Sequence, residues 1–526
     1  MKSAASFLAV LALAAIESIQ PVPIAAAVSN VRVTGLSFSP RDLTIAPGDT
    51  VTFTGGGGFH TVTGDGAEPF CGPGAFTTCS VTFSNVGVYA YHCIPHQSFG
   101  MVGVIRVVEP IFSPLTVSVS GNGFVSPDFN GQSLLVGGSF TVTATPAAGS
   151  AFVGWTGGIT SSTPRLTFVM QSNLVLQANF VLNPFLTGNG VYNGLFNTSA
   201  DTNGLQPCSS GFFTFKLSLA GKYSGSLQLA GRKRPFTGQF NLDGRATNAV
   251  KRAGTNDLTL ELALDTGSDS GRVTGRLVDP IAGWTAGVTG DHAPVFASTS
   301  SSRFQGSYTI AVTPEAGEPG IGDGFGTVTV DAKGTLKLKA TLADGTAATQ
   351  SVPVSKDGQW PLYVAMAGGK GSLFSRASLA TNPAAIDSIE GRLGWIRTAQ
   401  PAARLYSGGF TSVMDLVGST YHPPGTNVIL PFATAAILFD GGNLTTGFSN
   451  VITLAPKGKV ANLTTNQPLV MSFTLLSGLF KGSVKLNDAG ADRRLLFKGA
   501  ALQNQEIGVG FFTSTNKTGP VRIQRP

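Results

Sequence analysis

Short runs in which apolar and polar residues alternate, broken by glycine, proline, asparagine and aspartate, fill most of this chain; period-two alternation marks half-buried β-strands. In Asp49-Thr-Val-Thr-Phe53 the alternation turns Val51 and Phe53 to one face, and Met101-Val-Gly-Val-Ile-Arg-Val-Val108 predicts another strand. Five more short strands are predicted between Leu115 and Leu182, at Leu115–Ser120, Gly138–Pro146, Ala151–Trp155, Leu166–Met170 and Leu174–Phe180. Further on, Gly221-Lys-Tyr-Ser-Gly-Ser-Leu-Gln-Leu229, Gly326-Thr-Val-Thr-Val330 and Gly478-Leu-Phe-Lys-Gly-Ser-Val-Lys-Leu486 resemble one another. Each is followed, after a turn, by a second apolar strand, at Pro235–Phe240, Leu336–Ala340 and Leu495–Gly499. Hairpins are marginal alone in water, so they must pack into larger sheets. Residues 183–526 are therefore expected to form a glycine-rich antiparallel region, a barrel or paired sheets built from two related halves.

Composition supports an all-β chain. Only 12% of the 526 residues are charged, against 68 glycines and 35 phenylalanines, and the length suggests about three units. The N-terminus departs from alternation: Lys2, an apolar run from Phe7 to Ile16 and Ala25-Ala26-Ala27 look like a secretory signal over residues 1–27. That run is shorter than the ~20 apolar residues of a spanning helix, and nothing later approaches that length. The expected product is exported (periplasmic, cell-surface or extracellular), with no transmembrane segment in the mature chain.

The densest chemistry lies in Tyr91-His-Cys93-Ile-Pro-His96-Gln-Ser-Phe-Gly-Met101, with His60 located 33 residues before Cys93. One thiolate, two imidazoles and a weak thioether form the donor set of a mononuclear type 1 copper site. A strand ending at Cys93 would deliver the thiolate, a short loop would return His96 and Met101, and His60 would arrive from a different strand. His92 alternates to the opposite face from Cys93 and is expected not to be a ligand.

Residues 28–110 resemble the plastocyanin and pseudoazurin branch of the cupredoxins. The resemblance rests on the ligand loop, on Phe38-Ser-Pro-Arg-Asp-Leu-Thr-Ile-Ala-Pro-Gly-Asp-Thr-Val-Thr-Phe53, and on the final strand from Met101. It implies a Greek-key β-sandwich with one copper held by His60, Cys93, His96 and Met101, and His96 as the electron port where a redox protein partner docks. Phe53 stands where many relatives have Trp, and Thr61 where plastocyanins often have Asn. The second change alters the expected hydrogen bonding near the ligands, and such contacts tune a metal's electronics. With Cys93 assigned to copper, Cys71 and Cys79 are the natural disulfide pair, and Cys208 is left as a free buried thiol.

Residues 112–182 resemble the divergent InlB B-repeat family of bacterial surface proteins, through Thr143-Ala-Thr-Pro-Ala-Ala-Gly149, Phe152-Val-Gly-Trp-Thr-Gly157 and Ala178-Asn-Phe180. Phe152 and Trp155, faced by Phe168 and Phe180, would make a small core. Only Asp128 and Arg165 are charged between residues 115 and 182, which excludes paired acid–base chemistry and suggests a spacer or interaction module.

The net charge of +7 lies downstream, since residues 28–110 hold three arginines and no lysine against five acids. Arg232-Lys-Arg234, with Lys222, Arg245, Lys251 and Arg252, could meet an anionic glycan or envelope surface, or be ordinary solvated charge. No aromatic-interleaved basic motif points to nucleic acid. The chain has five histidines and no His-x-His pair, so a trinuclear or catalytic second copper has too few ligands; a binuclear copper centre would need a second cysteine in the loop. His292 and His422 lack a neighbouring His, Cys or nucleophile motif, and Asp323, Asp331 and Asp344 read as turn residues rather than calcium ligands. The chain is thus expected to be an electron carrier and not an enzyme; the alternatives are copper sequestration or delivery, or a non-redox surface protein with a cupredoxin-like fold.

Overall fold

The computed structural model describes residues 26–66, 70–198, 205–267, 270–297, 299–315, 321–380, 388–488 and 491–526. The expected signal segment lies almost wholly outside them. The chain divides into two compact units, Met1–Leu182 and Asn183–Pro526.

In the first unit, eight strands form a sandwich: β1 (Val28–Thr34), β2 (Ser37–Ser39), β3 (Asp42–Ile45), β4 (Asp49–Thr54), β5 (Thr63–Gly64), β6 (Thr78–Phe83), β7 (Gly87–His92) and β8 (Val102–Val107). One sheet runs β2-β1-β4-β6 and the other β3-β8-β7-β5. The alternation predicted at Val51 and Phe53 buries both completely, and Val31, Ile105 and Tyr91 meet them between the sheets. This is the cupredoxin sandwich.

Residues 112–182 form a second small β module with sheets of three, three and two strands. The five predicted strands are present, and three more appear at Phe112–Pro114, Gly123–Ser126 and Ser133–Leu135. Trp155 is buried, donating its indole N–H to the Pro164 carbonyl at 3.1 Å, and Phe152 packs edge-on against it and against Phe180. Phe168 lies in the same core and meets the ring of Phe140, its cross-strand neighbour.

The second unit is built from three eight-stranded antiparallel sheets, spanning Gly190–Ala293, Gly306–Thr420 and Thr434–Gln524, where two related halves were expected. The three mutually similar segments fall one in each sheet, but as its third, second and fifth strand respectively, so they share hairpin chemistry rather than an equivalent place. Each sheet is a meander whose first strand pairs with its last, through Tyr192↔His292, Thr309↔Ser419 and Ile437↔Ile523. One seam stays without a strand ladder: between strands four and five in the first two sheets, between three and four in the third. Side-chain amides bridge these seams. Asn248 donates to the Tyr223 hydroxyl. Gln350 donates to the Pro361 carbonyl at 2.9 Å while accepting the Trp360 indole N–H at 2.9 Å. Asn450 and Asn462 both donate to the Gln467 carbonyl, at 2.7 and 2.9 Å.

Apolar side chains fill the interior of each sheet, Phe213 and Phe215 in the first, Trp360 and Trp395 in the second, Phe439 and Phe512 in the third. The basic cluster flanks the first sheet's seam. Arg232 and Lys233 lie exposed on an edge strand, where charge discourages strand addition. Lys251 pairs with Asp257 at 2.6 Å and Arg252 with Asp279 at 2.7 Å, so part of the cluster is neutralised internally.

Candidate metal centre

Cys93 follows β7 directly, at the buried end of the strand, and is completely shielded from solvent. Pro95 opens a short 3-10 turn over Ile94–Phe99, which ends at Gly100 with φ of 83°, a left-handed conformation that favours glycine. Three backbone bonds close this loop: His96 N–H to the Cys93 carbonyl at 3.0 Å, Met101 N–H to the His96 carbonyl at 3.2 Å, and Cys93 N–H to the Met101 carbonyl at 3.0 Å. Met101 is thereby held beside Cys93 at the head of β8, and its side chain is fully buried.

His60 does not come from a strand, as expected, but from the loop between β4 and β5. Four glycines, Gly55–Gly58, make that loop tight. A Cβ on Gly56 would meet the Val33 carbonyl oxygen at 2.3 Å, and Gly57 and Gly58 have φ of +90° and +86°. The backbone can therefore press against β1 and then turn to aim the His60 ring inward, where it is 8% exposed.

The result is a convergence of donors. Cys93 Sγ lies 3.7 Å from His60 Nδ1 and 3.3 Å from His96 Nδ1, and the three ligand atoms all fall within 4.8 Å of one another. Bonds of about 2.3 Å to sulfur and about 2.0 Å to nitrogen, the values for zinc, would place S and N about 3.7 Å apart at a trigonal angle. The His60 separation equals that spacing and the His96 separation is a few tenths of an ångström shorter, and one soft thiolate with two imidazoles and a nearby thioether is a donor chemistry suited to copper. The residues present fit one copper ion.

Two further contacts shape the pocket. The Thr61 backbone N–H points at Cys93 Sγ at 3.4 Å, and the Thr61 hydroxyl oxygen accepts the Ile94 N–H at 2.8 Å. Thr61 thus links the His60 loop to the cysteine loop. His92 turns away, as its strand position predicts, and its Nδ1 pairs with the Asp65 carboxylate. Asp65 was not singled out from the sequence, and only the pairing of β5 with β7, which sets Thr63 opposite His92, identifies it. His96 is half-buried at the edge of the site, with Ile94 48% and Phe99 71% exposed beside it. Tyr91, one turn of the pleat before Cys93, stacks on Phe70 and meets Phe38 and Phe53 edge-on. Burial there holds its phenol pKa well above the usual range.

Cys71 and Cys79 are joined by a disulfide, and Cys208 is free but exposed rather than buried. The Cys208 turn, at residues 207–209, lies outside the sheet interior. Among the described residues His292 and His422 join no such cluster: His292 Nε2 lies 3.0 Å from the Asn189 carbonyl oxygen, and the His422 backbone donates its N–H to the Gln503 side-chain oxygen and accepts from the Gln503 side-chain nitrogen. Asp331 and Asp344 accept backbone N–H groups within their own turns, as read from the sequence.

Comparison with known proteins agrees with this geometry. A family model described as copper binding proteins of the plastocyanin/azurin family matches residues 25–108, and one described as the divergent InlB B-repeat domain matches residues 113–184. The chain is 36% identical to a plastocyanin of Solanum crispum over 88 residues, covering 14% of this chain and 89% of that protein. It is likewise 36% identical to plastocyanin A'/A'' of Nicotiana tabacum over 90 residues, with the same two coverages. Among solved structures, a pseudoazurin from Sinorhizobium is 33% identical, covering 16% of this chain and 76% of that one, with a TM-score of 0.15.

Proposed function

The chain belongs, through residues 25–108, to the plastocyanin/azurin family of copper-binding proteins, and on that premise we propose that it is a one-electron carrier whose copper is held by His60, Cys93, His96 and Met101. The observation that carries this reading is the convergence of two imidazole Nδ1 atoms on the buried Cys93 Sγ. Bound copper supplies a one-electron couple.

The chain's own residues supply the rest. The sandwich core and the three backbone bonds of the loop fix the donors before any metal arrives, so little need rearrange when the site's charge changes. The Thr61 N–H offers the Cys93 sulfur a hydrogen bond. Burial of Cys93 and Met101 keeps water from the sulfur ligands. His96, flanked by exposed Ile94 and Phe99, gives the site an edge that a redox protein partner can meet.

Export to a periplasmic, cell-surface or extracellular setting belongs to the same proposal. The Cys71–Cys79 disulfide supports it, because such bonds persist in oxidising compartments. No helix among the described residues is long and apolar enough to cross a membrane. Exposed Arg232 and Lys233 are the groups an anionic envelope or glycan surface would meet.

The test is the visible and electron paramagnetic resonance spectrum of the purified, copper-loaded chain after oxidation. An intense thiolate-to-copper band is expected, lost in Cys93→Ser and kept with a shifted potential in Met101→Leu. A band that survives Cys93→Ser would overturn the ligand set. Release of metal on reduction would instead assign the site to copper storage or delivery.

A further inference from the structure

The third sheet of the second unit carries a concavity of about 620 Å³ on its outer face, within the ~300–1,000 Å³ typical of small-molecule sites. Strand register explains what lines it. Val470, Ser483 and Leu496 stand opposite one another in one cross-strand row, and Ser472, Lys481 and Lys498 form the next. Val470 is 74% and Leu496 61% exposed, the most exposed large apolar side chains on any strand of the three sheets among the described residues.

Three cations surround this apolar floor. Lys481 and Lys498 flank it on one side and Arg494 on the other, and no carboxylate of the described residues pairs with any of them. Arg494 donates to the Ser483 hydroxyl at 3.1 Å, which tethers its guanidinium over the row. Lys498 Nζ sits 5.0 Å over the Phe511 ring, and burial lowers its pKa, so its charge is poorly hydrated as it stands. Phe511 also belongs to the apolar cluster with Ala311 and Phe325 by which the second sheet packs against the third.

Solvated strand charges ordinarily stand among polar neighbours or opposite acids. Here they gather over two exposed apolar side chains of one cross-strand row, Val470 and Leu496, with only Ser483 between them. A second copy presenting the same face would bring three like charges against these, whereas an anion would relieve them. We propose that this concavity binds a small anionic amphiphile, an acidic head group held by Lys481, Arg494 and Lys498 with its apolar body lying over Val470 and Leu496.

The experiment is calorimetric titration of the full chain with dodecanoate and with dodecyl phosphate, each below its micelle concentration, beside dodecanol and inorganic phosphate. Saturable binding of at least one dodecyl anion at one site per chain is expected, with dodecanol and inorganic phosphate at least tenfold weaker; which of the two anions binds identifies the head group. Lys498→Gln and Leu496→Asn should each weaken it about tenfold, while Lys333→Gln, on an exposed turn of the second sheet, leaves it unchanged. Failure of both anions to bind saturably, dodecanol binding as tightly as the anions, or unaltered binding in both groove variants overturns the proposal. Copper loading and the visible band report the first unit separately, so failure here leaves the electron-carrier reading untouched.

Discussion

Replacing Thr61 by Val isolates one hydrogen bond beside the metal site. The side chain is fully buried, and its Oγ1 accepts the Ile94 N–H at 2.8 Å while also receiving the Thr63 hydroxyl at 3.3 Å. Valine keeps the shape and removes the acceptor. An amide stranded in the interior costs about 1–3 kcal/mol. Ile94 is itself 48% exposed, so water can partly replace the lost partner, and the lower part of that range, roughly 1–2 kcal/mol by the same measure, is the expected loss. With a urea dependence of about 2 kcal/mol per molar, the middle of the ordinary range, the unfolding midpoint of this domain should fall by roughly 0.5–1 M. The visible band of the copper-loaded chain follows this domain alone, so urea titration monitored at that band is the assay. The band itself should persist, because the Thr61 contact to Cys93 Sγ comes from the backbone N–H, which valine retains. Thr61→Ser, which restores the hydroxyl, should recover most of the midpoint. A valine variant as stable as the parent, or a serine variant as damaged as valine, would refute the assignment of Thr61 as the link between the two ligand loops.

Two other perturbations follow from the geometry. Replacing both Cys71 and Cys79 by Ala opens a short loop whose closure entropy is worth about 2.5 kcal/mol, and the same urea titration should show that loss with the copper band intact. Burial at the contact of the second and third sheets pushes the Asp323 carboxyl up to about 6, and Arg522, 3.6 Å away, opposes this only in part. Since the unfolded value is about 3.9, the neutral carboxyl's contribution is complete below about pH 4 and is lost as pH rises through 6. Asp323→Asn should flatten that decline in the unfolding midpoint of the second unit and raise it at pH 7, by at most about 3 kcal/mol. An unchanged pH profile would show that the group ionises without cost.

The copper domain was legible because its signals are local. Alternation at Val51 and Phe53 fixed a strand's inner face, and the spacing from Cys93 to Met101 is set by one loop of backbone bonds. His60 was named but misplaced, since a run of four glycines says that the chain turns without saying that the ring leaves from a loop. The strands Phe112–Pro114, Gly123–Ser126 and Ser133–Leu135 escaped notice because three or four residues are too few to establish a period. In the second unit individual hairpins could be read, but not the number of sheets. What closes each sheet is pairing between residues about a hundred positions apart, such as Val191 with Ala293 and Tyr308 with Thr420, and nothing local marks those partners.

The way these sheets close also limits what they can do. A barrel that spans a membrane turns apolar residues outward and keeps a polar lumen. Here Phe213, Trp360, Trp395 and Phe439 point inward and are fully buried. The interiors are filled like ordinary protein cores, and the amides of Asn248, Gln350 and Asn450 stand where an open seam would otherwise admit water. The outer faces are left to side chains that the pleat turns away from the core, and among the described residues the row of Val470 and Leu496 beneath its three cations is the place where that outward pattern departs furthest from a merely solvated strand surface.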